Sequence, residues 1–362
     1  MIRVLHIGLS SNPGGIEKVV YSWATRLPQD IRFDFVNVDK APLAYESYFT
    51  QKCESNIYQI QSRKNNPLAS SRELTSIIRN NKYDFVHFHI MSLSWPEPIL
   101  ISDKNSTKTI VHSHMVVDEN MSIKYQILHK IGMLRTENVN YIPIACGYEA
   151  GKSMFGKRKF EVLPNGIDLK QFNFSEEKRR KVREKLGVSD CFVIGHVGRP
   201  GRQKNYPAIM NIYSNVRKIR PESKLLLIGD LVNDEEINQL INRLDLNKDV
   251  IFTGAVDDTS QYYNAMDAFL FPSLYEGFSV SLVEAQANGV PCVVSDQVAE
   301  ESKLSDLVHF FSLNNYEKAS QMLCSFPIRN IKEYDNSYMK AYDVNVTAQK
   351  MFDIYRKNIS RL

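Results

Sequence analysis

The sequence predicts an α/β protein with two parallel β-sheets, each covered by helices on both faces. Apolar runs of strand length alternate with stretches of helical spacing along almost the whole chain, and repeated βα alternation is typical of this architecture. The alternation forms two series. A highly charged segment at residues 175–187 separates them. The length of 362 residues also suits two domains of ordinary size.

The first series contains five predicted strands, and their lack of polar alternation indicates burial on both faces of a sheet. They are RVLHIGL (3–9), RFDFVNVD (32–39), FVHFHI (85–90), KTIVHSH (108–114) and YIPIACG (141–147).

The second series has the same character, with helical patterns at residues 206–221 and 234–246 between its strands. Its predicted strands are FVIGHVG (192–198), KLLLIGD (224–230), VIFTGAV (250–256), AFLFPS (268–273) and PCVVSD (291–296). We therefore predict an N-terminal domain at residues 1–168 and a C-terminal domain at 169–344. The segment 345–362 is a predicted final helix, whose apolar positions need a surface to pack on.

Composition limits the possible functions. Hydrophobic residues at 43% and charged residues at 24% are usual for a globular protein, and a net charge of +4 is too small to indicate nucleic-acid binding. The five cysteines are scattered, without a C-x-x-C pair, so neither a disulfide framework nor a zinc site is predicted. No apolar run approaches 18 residues and no signal peptide is evident. We expect a cytoplasmic protein.

The loop GLSSNPGGIEKVV (8–20) follows the first predicted strand and begins a helix. Gly14 and Gly15 would allow a ligand to approach the backbone closely. The loop is not G-x-G-x-x-G and lacks the lysine of a P-loop, so neither nucleotide motif is predicted. A ligand-binding loop and a glycine turn that only begins a helix both remain open.

The loop HVGRPGRQKN (196–205) follows the first strand of the second series. It carries Arg199 and Lys204 with Arg202 between them. Arginine binds phosphate through a planar fork and lysine as a point charge, so this loop could hold a phosphate group. The alternative is a solvated basic loop.

Glu276 and Glu284 lie on either side of a predicted helix start, in a strand, loop, helix and strand unit. Such a loop lies at the carboxyl edge of a parallel sheet, where ligands bind. If the whole stretch were helical, the two residues would be about 12 Å apart, too far to act on one reacting atom. A long ligand with one acid at each end fits better. The free N–H groups at Ser279 to Ser281 would then suit an anionic middle such as a diphosphate. Alternatively, one glutamate caps a loop and the other is a solvated helix residue.

Four of the eight histidines occur as HFH (87–89) and HSH (112–114) at two strand ends. A metal site is one interpretation, but no cysteine or aspartate pair completes a ligand set. We interpret His87, His89 and His112 as core or edge residues, and His114 as a candidate site residue because it ends its strand at the sheet edge. The chain contains no D-x-D triplet, so we predict no metal for holding a diphosphate.

The segment KYQILHKIGMLR (124–135) interleaves basic residues with apolar residues at helical spacing. A basic amphipathic helix of this kind can lie on an anionic membrane surface. The alternative is a helix that packs on its own domain.

Several of these motifs together resemble the retaining glycosyltransferase family 4, whose fold is GT-B. The resemblance rests on the order of Arg199, Lys204 and the E-x7-E pair Glu276 and Glu284. LPNGID (163–168) and FTGAVDD (252–258) are similar to further segments of the family, and GGIE (14–17) and His114 fit its N-terminal domain.

The resemblance implies two Rossmann-like domains facing across a cleft, with the nucleotide sugar held by the second domain and the final helix crossing back to the first. It implies that Arg199 and Lys204 hold the diphosphate and that Glu284 binds the ribose. Glu276 and His114 would lie at the donor sugar as catalytic residues. The remaining donor-binding residues would be Gly14, Gly15, Phe278, Ser279, Val280 and Ser281. Ser279 replaces the glycine or proline of many relatives.

The function implied is transfer of a hexose or N-acetylhexosamine, with retention and without a metal or other cofactor. The donor would be a nucleotide diphosphate sugar, UDP-linked, and the acceptor a lipid-linked saccharide in capsule or exopolysaccharide synthesis. We expect no nucleic-acid partner, and a membrane contact through residues 124–135. A GT-B sugar epimerase, a phosphorylase and a non-catalytic protein that binds nucleotide sugars are the alternatives.

Overall fold

The computed structural model describes residues 1–117, 122–256, 258–276 and 278–359 of the chain. They form two compact units: unit 1 is Met1–Gly166 with Val344–Leu362, and unit 2 is Ile167–Asp343. The sequence-based boundaries at 168 and 344 lie two residues and one residue from these divisions. Each unit contains one sheet with strands paired in parallel. The predicted class, two doubly wound α/β domains, is confirmed.

The sheet of unit 1 has seven strands in the order β3-β2-β1-β4-β5-β6-β7. The five predicted strands form as expected, and the two added edge strands, of three and two residues, are too short to show a pattern. The strands are β1 Ile2–Ile7, β2 Ile31–Asn37, β3 Ile57–Gln59, β4 Phe85–Ile90, β5 Lys108–Ser113, β6 Ile142–Ala145 and β7 Glu161–Val162. The helices between them are α1 Gly15–Ala24, α2 Glu46–Lys52, α3 Pro67–Asn81, α4 Glu97–Lys104, α5 Ile123–Thr136 and α6 Tyr148–Phe155.

The sheet of unit 2 has six strands in the order β10-β9-β8-β11-β12-β13. Its core is formed by apolar side chains of the sheet and of the helices on it. The strands are β8 Phe192–Val197, β9 Ser223–Ile228, β10 Val250–Phe252, β11 Ala268–Phe271, β12 Cys292–Ser295 and β13 Val308–Phe311. The helices are α7 Glu176–Leu186, α8 Tyr206–Ile219, α9 Glu235–Arg243, α10 Ser260–Ala265, α11 Val280–Ala287 and α12 Tyr316–Ser325.

The last helix, α13 Val344–Asn358, packs in unit 1 with the first residues of the chain. Met351, Phe352 and Tyr355 are buried in the same core as Trp23 and Phe33. The apolar positions of this helix therefore complete the core of unit 1.

Five histidines form a hydrogen-bonded cluster in the core of unit 1. Nδ1 of His6 lies 2.9 Å from Nε2 of His89, and Nδ1 of His89 lies 2.9 Å from Nε2 of His114. Nε2 of His87 lies 3.2 Å from Nδ1 of His112. The rings come from β1, β4 and the end of β5, whose registers pair His6 with His87 and His89 with His112. His6 was not identified from the sequence, because the partner strand that faces it lies about 80 residues away.

Burial keeps these imidazoles neutral. It lowers the pKa of His6 to about 3 and the pKa of His114 to about 4. The pKa values of His87, His89 and His112 lie well below the usual 6.5, first because of burial and then because of neighbouring histidines. The core of unit 1 therefore holds five histidines that take up a proton at a higher pH in the unfolded chain than in the folded protein.

Acid should destabilise unit 1 below about pH 6.5. Because the folded pKa values are depressed, the unfolded chain binds protons first, and stability present above pH 6.5 is lost as the pH falls. Each such histidine can change the unfolding equilibrium constant by about tenfold per pH unit. Urea unfolding between pH 8 and 5.5, followed by tryptophan fluorescence, reports on unit 1 because both tryptophans, Trp23 and Trp95, belong to it.

Two variants provide the controls. His112→Asn keeps a polar atom near Nδ1 and removes one titrating group, so the pH dependence should become shallower. His309→Gln changes an exposed residue of unit 2 and should leave the tryptophan-detected slope unaltered. A free energy of unfolding that stays constant from pH 7 to 5.5 would contradict this account.

Candidate active site

Two loops at the carboxyl edge of the unit 2 sheet touch through glycines. β8 ends at Val197 and β9 ends at Ile228. Gly229 has a φ of +144°, and a Cβ at this position would lie 2.1 Å from the carbonyl oxygen of Gly198. The hydroxyl of Tyr206 donates to the same oxygen at 3.1 Å. These contacts hold the start of the basic loop at the edge where parallel sheets bind ligands.

Lys204 and Glu276 form an ion pair at this edge. Nζ of Lys204 lies 2.7 Å from Oε1 of Glu276, and the two side chains are 17% and 9% exposed. The hydroxyl of Ser273 donates to the same carboxylate oxygen at 3.1 Å. Nζ also lies 4.6 Å from the ring centroid of Phe271. The last residues of β11 and the loop after it therefore position this cation and this carboxylate together.

The burial of this pair decides between two interpretations. A solvated basic loop would leave Lys204 in water, and a solvated or loop-capping glutamate would leave Glu276 without a cation. Neither describes two charges in contact and mostly shielded from water. Arg199 differs, because its side chain is exposed beside the loop. Its role in binding phosphate stays a prediction.

The N-terminus of α11 faces the same loop region. Ser279 is the N-cap, but its side chain does not cap the helix and its hydroxyl lies 3.1 Å from that of Ser281 instead. The first N–H groups of the helix, from Val280 onward, can therefore bind an anion. The ring of Phe278 stacks on Tyr342 with centroids 5.2 Å apart, so this side chain contributes packing. Residue 277 lies outside the described residues.

Glu284 lies on α11 and is only 2% exposed. Its Oε2 accepts hydrogen bonds from the hydroxyls of Tyr263 at 3.0 Å and Thr259 at 3.3 Å. Burial, and then the charge of Glu284, raise the pKa of Tyr263 well above 10. The alternative of a solvated helix residue is therefore wrong. The estimate of 12 Å for a fully helical stretch does not apply, because the helix covers only Val280–Ala287.

The predicted residues of the N-terminal loop lie in unit 1. Gly14 is the N-cap of α1 with an extended φ of −141°, and Gly15 is its first residue. Glu17 accepts hydrogen bonds from the backbone and side chain of Ser10, both at 2.9 Å. Upstream, Gly8 has a φ of +106°, and a Cβ there would lie 2.2 Å from the carbonyl oxygen of His89. The loop is thus anchored at both ends, while a ligand contact at Gly14 and Gly15 stays a prediction.

His114 follows β5 in unit 1 and is 8% exposed. Its depressed pKa, about 4 because of burial, makes it a neutral imidazole at physiological pH. Its Nε2 already lies 2.9 Å from Nδ1 of His89, and the ring does not supply a positive charge. The predicted position of His114 at the donor sugar stays a prediction.

Two histidine trios have the spacing that a metal ion requires. Ligand atoms of His6, His87 and His89, and of His89, His112 and His114, lie within 4.8 Å of one another. Several of these nitrogens are already hydrogen-bonded to each other at 2.9 Å, and a metal ion would have to replace those bonds. The trios contain no carboxylate to offset a divalent charge. The prediction that no metal takes part is untested.

The segment that contains the ion pair of Lys204 and Glu276 matches a known protein family. The family model described as "Glycosyl transferases group 1" matches residues 191–309, from β8 into β13. This range includes Arg199, Lys204, Glu276 and Glu284. Residues 191–309 are therefore similar to this family.

Proteins similar to this chain are known from bacteria. EpsF of Bacillus subtilis (strain 168), named as a glycosyltransferase, is 29% identical over 310 residues, which are 83% of this chain and 80% of EpsF. The Escherichia coli UDP-Gal:alpha-D-GlcNAc-diphosphoundecaprenol alpha-1,3-galactosyltransferase is 24% identical over 98% of this chain and 96% of its own length.

The fold of the chain is also found in solved structures. Anabaena HepE, crystallised with UDP-glucose, superposes with a TM-score of 0.80 over 99% of this chain and 100% of HepE, at 18% sequence identity. The GT-B fold predicted from the sequence is confirmed by this similarity. Among the described residues, we find no helix with the length and apolar character needed to cross a membrane.

Some residues of unit 2 that shape the site were not identified from the sequence. Tyr263, which binds Glu284, lies on a six-residue helix without a motif. Gly229 is one of 16 glycines, and only the close approach of two loops distinguishes it. His196 is buried beneath the basic loop, with Nδ1 2.9 Å from the carbonyl oxygen of Leu270. The FTGAVDD segment includes residue 257, which lies outside the described residues.

Proposed function

We propose that the protein is a retaining, metal-independent glycosyltransferase. It transfers a hexose or N-acetylhexosamine from a UDP-sugar to a lipid-linked saccharide in capsule or exopolysaccharide synthesis. The observation that carries the proposal is the shielded pair of Lys204 and Glu276 beside the α11 N-terminus, within a glycosyl transferases group 1 domain. The substrates named for the E. coli relative and the UDP-glucose bound to HepE support the donor and acceptor classes.

The positive groups at the sheet edge suit a diphosphate. Lys204 provides one charge, Arg199 provides a second from its exposed loop, and the α11 N-terminus offers N–H groups and a positive dipole end. A diphosphate that these groups neutralise needs no bridging metal ion. The lack of a D-x-D triplet in the sequence agrees with this mode of binding.

The two glutamates differ in their surroundings, and we assign them different roles. Glu284 is held by Tyr263 and Thr259 within the packing of α10 and α11, so its position is rigid and suits acceptance of ribose hydroxyls. Glu276 lies in the loop with Lys204 as its neighbour. A carboxylate at that position stabilises positive charge that develops on the sugar as the glycosidic bond breaks. His114 of unit 1 is assigned to a sugar hydroxyl as a neutral imidazole.

The proposal predicts transfer of sugar from a UDP-sugar to an undecaprenyl-diphosphate-linked saccharide in the presence of EDTA. NMR of the product should show the anomeric configuration of the donor. Release of free sugar and UDP without acceptor would instead indicate an epimerase. Binding without turnover of any donor and acceptor pair would indicate a non-catalytic protein. Activity that EDTA abolishes and Mn²⁺ restores would contradict metal independence.

Substitutions of the two glutamates should have different kinetic effects. Glu284→Ala should mainly raise the donor KM, because a ribose contact is present in ground and transition states alike. A charge-assisted hydrogen bond is worth about 1.5–3 kcal/mol, or roughly a ten- to hundredfold loss of kcat/KM. Glu276→Gln keeps the side-chain shape near Lys204 but removes the charge, so it should lower kcat with little change in donor affinity.

Calorimetric donor binding and steady-state kinetics measure both effects. Glu317→Gln, an exposed residue on α12, is the matched control and should behave as the unmodified protein. If Glu276→Gln lost donor binding while Glu284→Ala lost only turnover, the orientation assigned to the nucleotide sugar would be reversed.

We also propose that α5 holds the protein on the cytoplasmic face of a membrane. The packed face of this helix is its small and polar one. A Cβ on Gly132 would lie 1.8 Å from the carbonyl oxygen of Leu93, and the N–H of Leu93 donates to Nδ1 of His129 at 3.0 Å. Most apolar side chains of α5 therefore do not pack on their own domain, which was the alternative. Leu128 is the partly buried exception.

The opposite face of α5 presents an apolar stripe to solvent. Ile123 and Leu134 are 74% and 70% exposed, and Ile127 and Ile131 are 52% and 45% exposed. Their spacing of three and four residues places them along one side of a helix. Exposed basic residues flank the stripe, namely Lys124, Lys130 and Arg135. An apolar strip bordered by cations is suited to the interface of an anionic bilayer.

Sedimentation with liposomes that contain phosphatidylglycerol tests this membrane contact. Ile127→Ser with Ile131→Ser should weaken binding by removing buried apolar area, and Lys124→Glu with Lys130→Glu should weaken it through charge. Leu68→Ser with Ile219→Ser changes two exposed apolar residues elsewhere, 71% and 57% exposed, and should have no effect. Equal binding by all of these proteins would show that α5 is only structural.

A further inference from the structure

Three buried arginines surround one carboxylate at the amino edge of the unit 2 sheet. Asp267 precedes β11 and is fully buried, with Arg179 Nη2 at 2.5 Å and Arg183 Nη1 at 3.0 Å. The backbone N–H groups of Val193 and Arg329 also donate to it, both at 2.8 Å. Asp267 thus has four donors, and two guanidinium groups contact its single negative charge.

The guanidinium of Arg329 is incompletely paired. Its Nη2 donates to Oδ1 of Asn288 at 3.0 Å, and its Cζ lies 4.7 Å from the ring centroid of Phe174. Nε and Nη1 are buried and have no hydrogen-bond partner in the described part of the chain. Arg329 is 8% exposed. A buried guanidinium with unmade hydrogen bonds is costly, and a nearby anion would offset its positive charge.

Arg179 and Arg183 cannot offset the charge of Arg329, because they are cations themselves and donate their hydrogen bonds to other groups. Arg179 Nη1 donates to the carbonyl oxygens of Asn264 and Met266, and Arg183 donates to those of Ala265, Ser189 and Cys191. Their charges also lower the pKa of Arg329, after the effect of burial, to about 9. Arg329 remains a cation at physiological pH, repelled by its neighbours.

A cavity of 570 Å³ opens onto this cluster. Arg179, Arg183 and Arg329 line it together with Arg180, which is exposed at α7. Two glutamates of the first turn of α7 also line it, and Glu177 is paired with Lys181 at 2.5 Å. The cavity is large enough for a small oxyanion and its water, and its inner wall is positively charged.

We propose that this cavity is a second anion site, which binds a phosphate group as inorganic phosphate or a small phosphomonoester. The site is separate from the donor site, since Asp267 precedes β11 and Glu276 follows it on the carboxyl side. Phosphate offers several acceptor oxygens and up to two negative charges, which match the excess charge around Asp267. Arg329 lies on the segment after α12, so the bound anion fixes that segment to α7.

Titration of the full chain with inorganic phosphate at constant ionic strength, with chloride as the replaced anion, tests the proposal. The melting temperature should rise saturably by roughly a few degrees, because a ligand of the native state stabilises it. Arg329→Met should abolish the response. It should not lower the melting temperature without phosphate, since it removes a buried charge that lacks full pairing. Arg243→Met, an exposed arginine on α9, should keep the full response.

Two further variants distinguish this cavity from the donor site and guard against misfolding of Arg329→Met. Lys204→Met should leave the phosphate response intact, and its loss would place the phosphate at the donor site and overturn the proposal. Arg180→Glu changes an exposed residue at the cavity mouth, so it should fold even if Arg329→Met does not, and should weaken phosphate binding at least about tenfold. No saturable response in the unmodified chain, or unchanged affinity in both Arg329→Met and Arg180→Glu, would also overturn it. A glucose phosphate ester that raises the melting temperature at lower concentration than phosphate would identify the phosphomonoester as the occupant.

Discussion

The contact between Lys204 and Glu276 is the interaction on which the site of unit 2 depends. A cation and a carboxylate mostly removed from water are stable only when each compensates the other. Their elements are far apart in sequence, so the pair ties the loop after β8 to the loop after β11. The close approach of Gly198 and Gly229 adds a steric constraint on the same edge. The loop that offers Arg199 and the helix that offers free N–H groups are therefore held beside one another before any ligand binds.

The two edges of this sheet handle buried charge in different ways. At the carboxyl edge, one lysine meets one glutamate, and the pair is nearly neutral. At the amino edge, one aspartate meets three arginines, and positive charge remains. In the first arrangement, the exposed Arg199 and the helix N-terminus add positive potential for a ligand to that of Lys204, while in the second the excess positive charge lies on buried side chains. The same fold thus presents two chemically distinct anion-attracting regions along one set of strands.

Local patterns were sufficient to predict the fold, because fully buried parallel strands are continuous apolar runs that stand out from helices. The strands β3, β7 and β13 were missed, because segments of two to four residues carry little pattern. The basic loop and the E-x7-E pair could be identified since each lies within one short segment. Partners such as Tyr263, Ser273 and His6 could not, because their roles arise from contacts between elements distant in the chain. The exposed face of α5 could not be predicted either. The sequence showed that the helix is amphipathic, but the face that packs on unit 1 carries His129 and Gly132, where larger apolar residues would be expected.

The C-terminal helix has a consequence for how the chain is made. Unit 1 begins at the first residue, yet Met351 and Tyr355 of α13 fill its core and the Tyr355 hydroxyl lies 2.6 Å from Nδ1 of His87. During synthesis, the residues of unit 2 leave the ribosome before α13 does. Domains fold as units as they emerge, so unit 2 can complete its core while unit 1 still lacks part of its own. Unit 1 therefore closes after unit 2, and the nascent protein carries an open hydrophobic surface until α13 has left the ribosome.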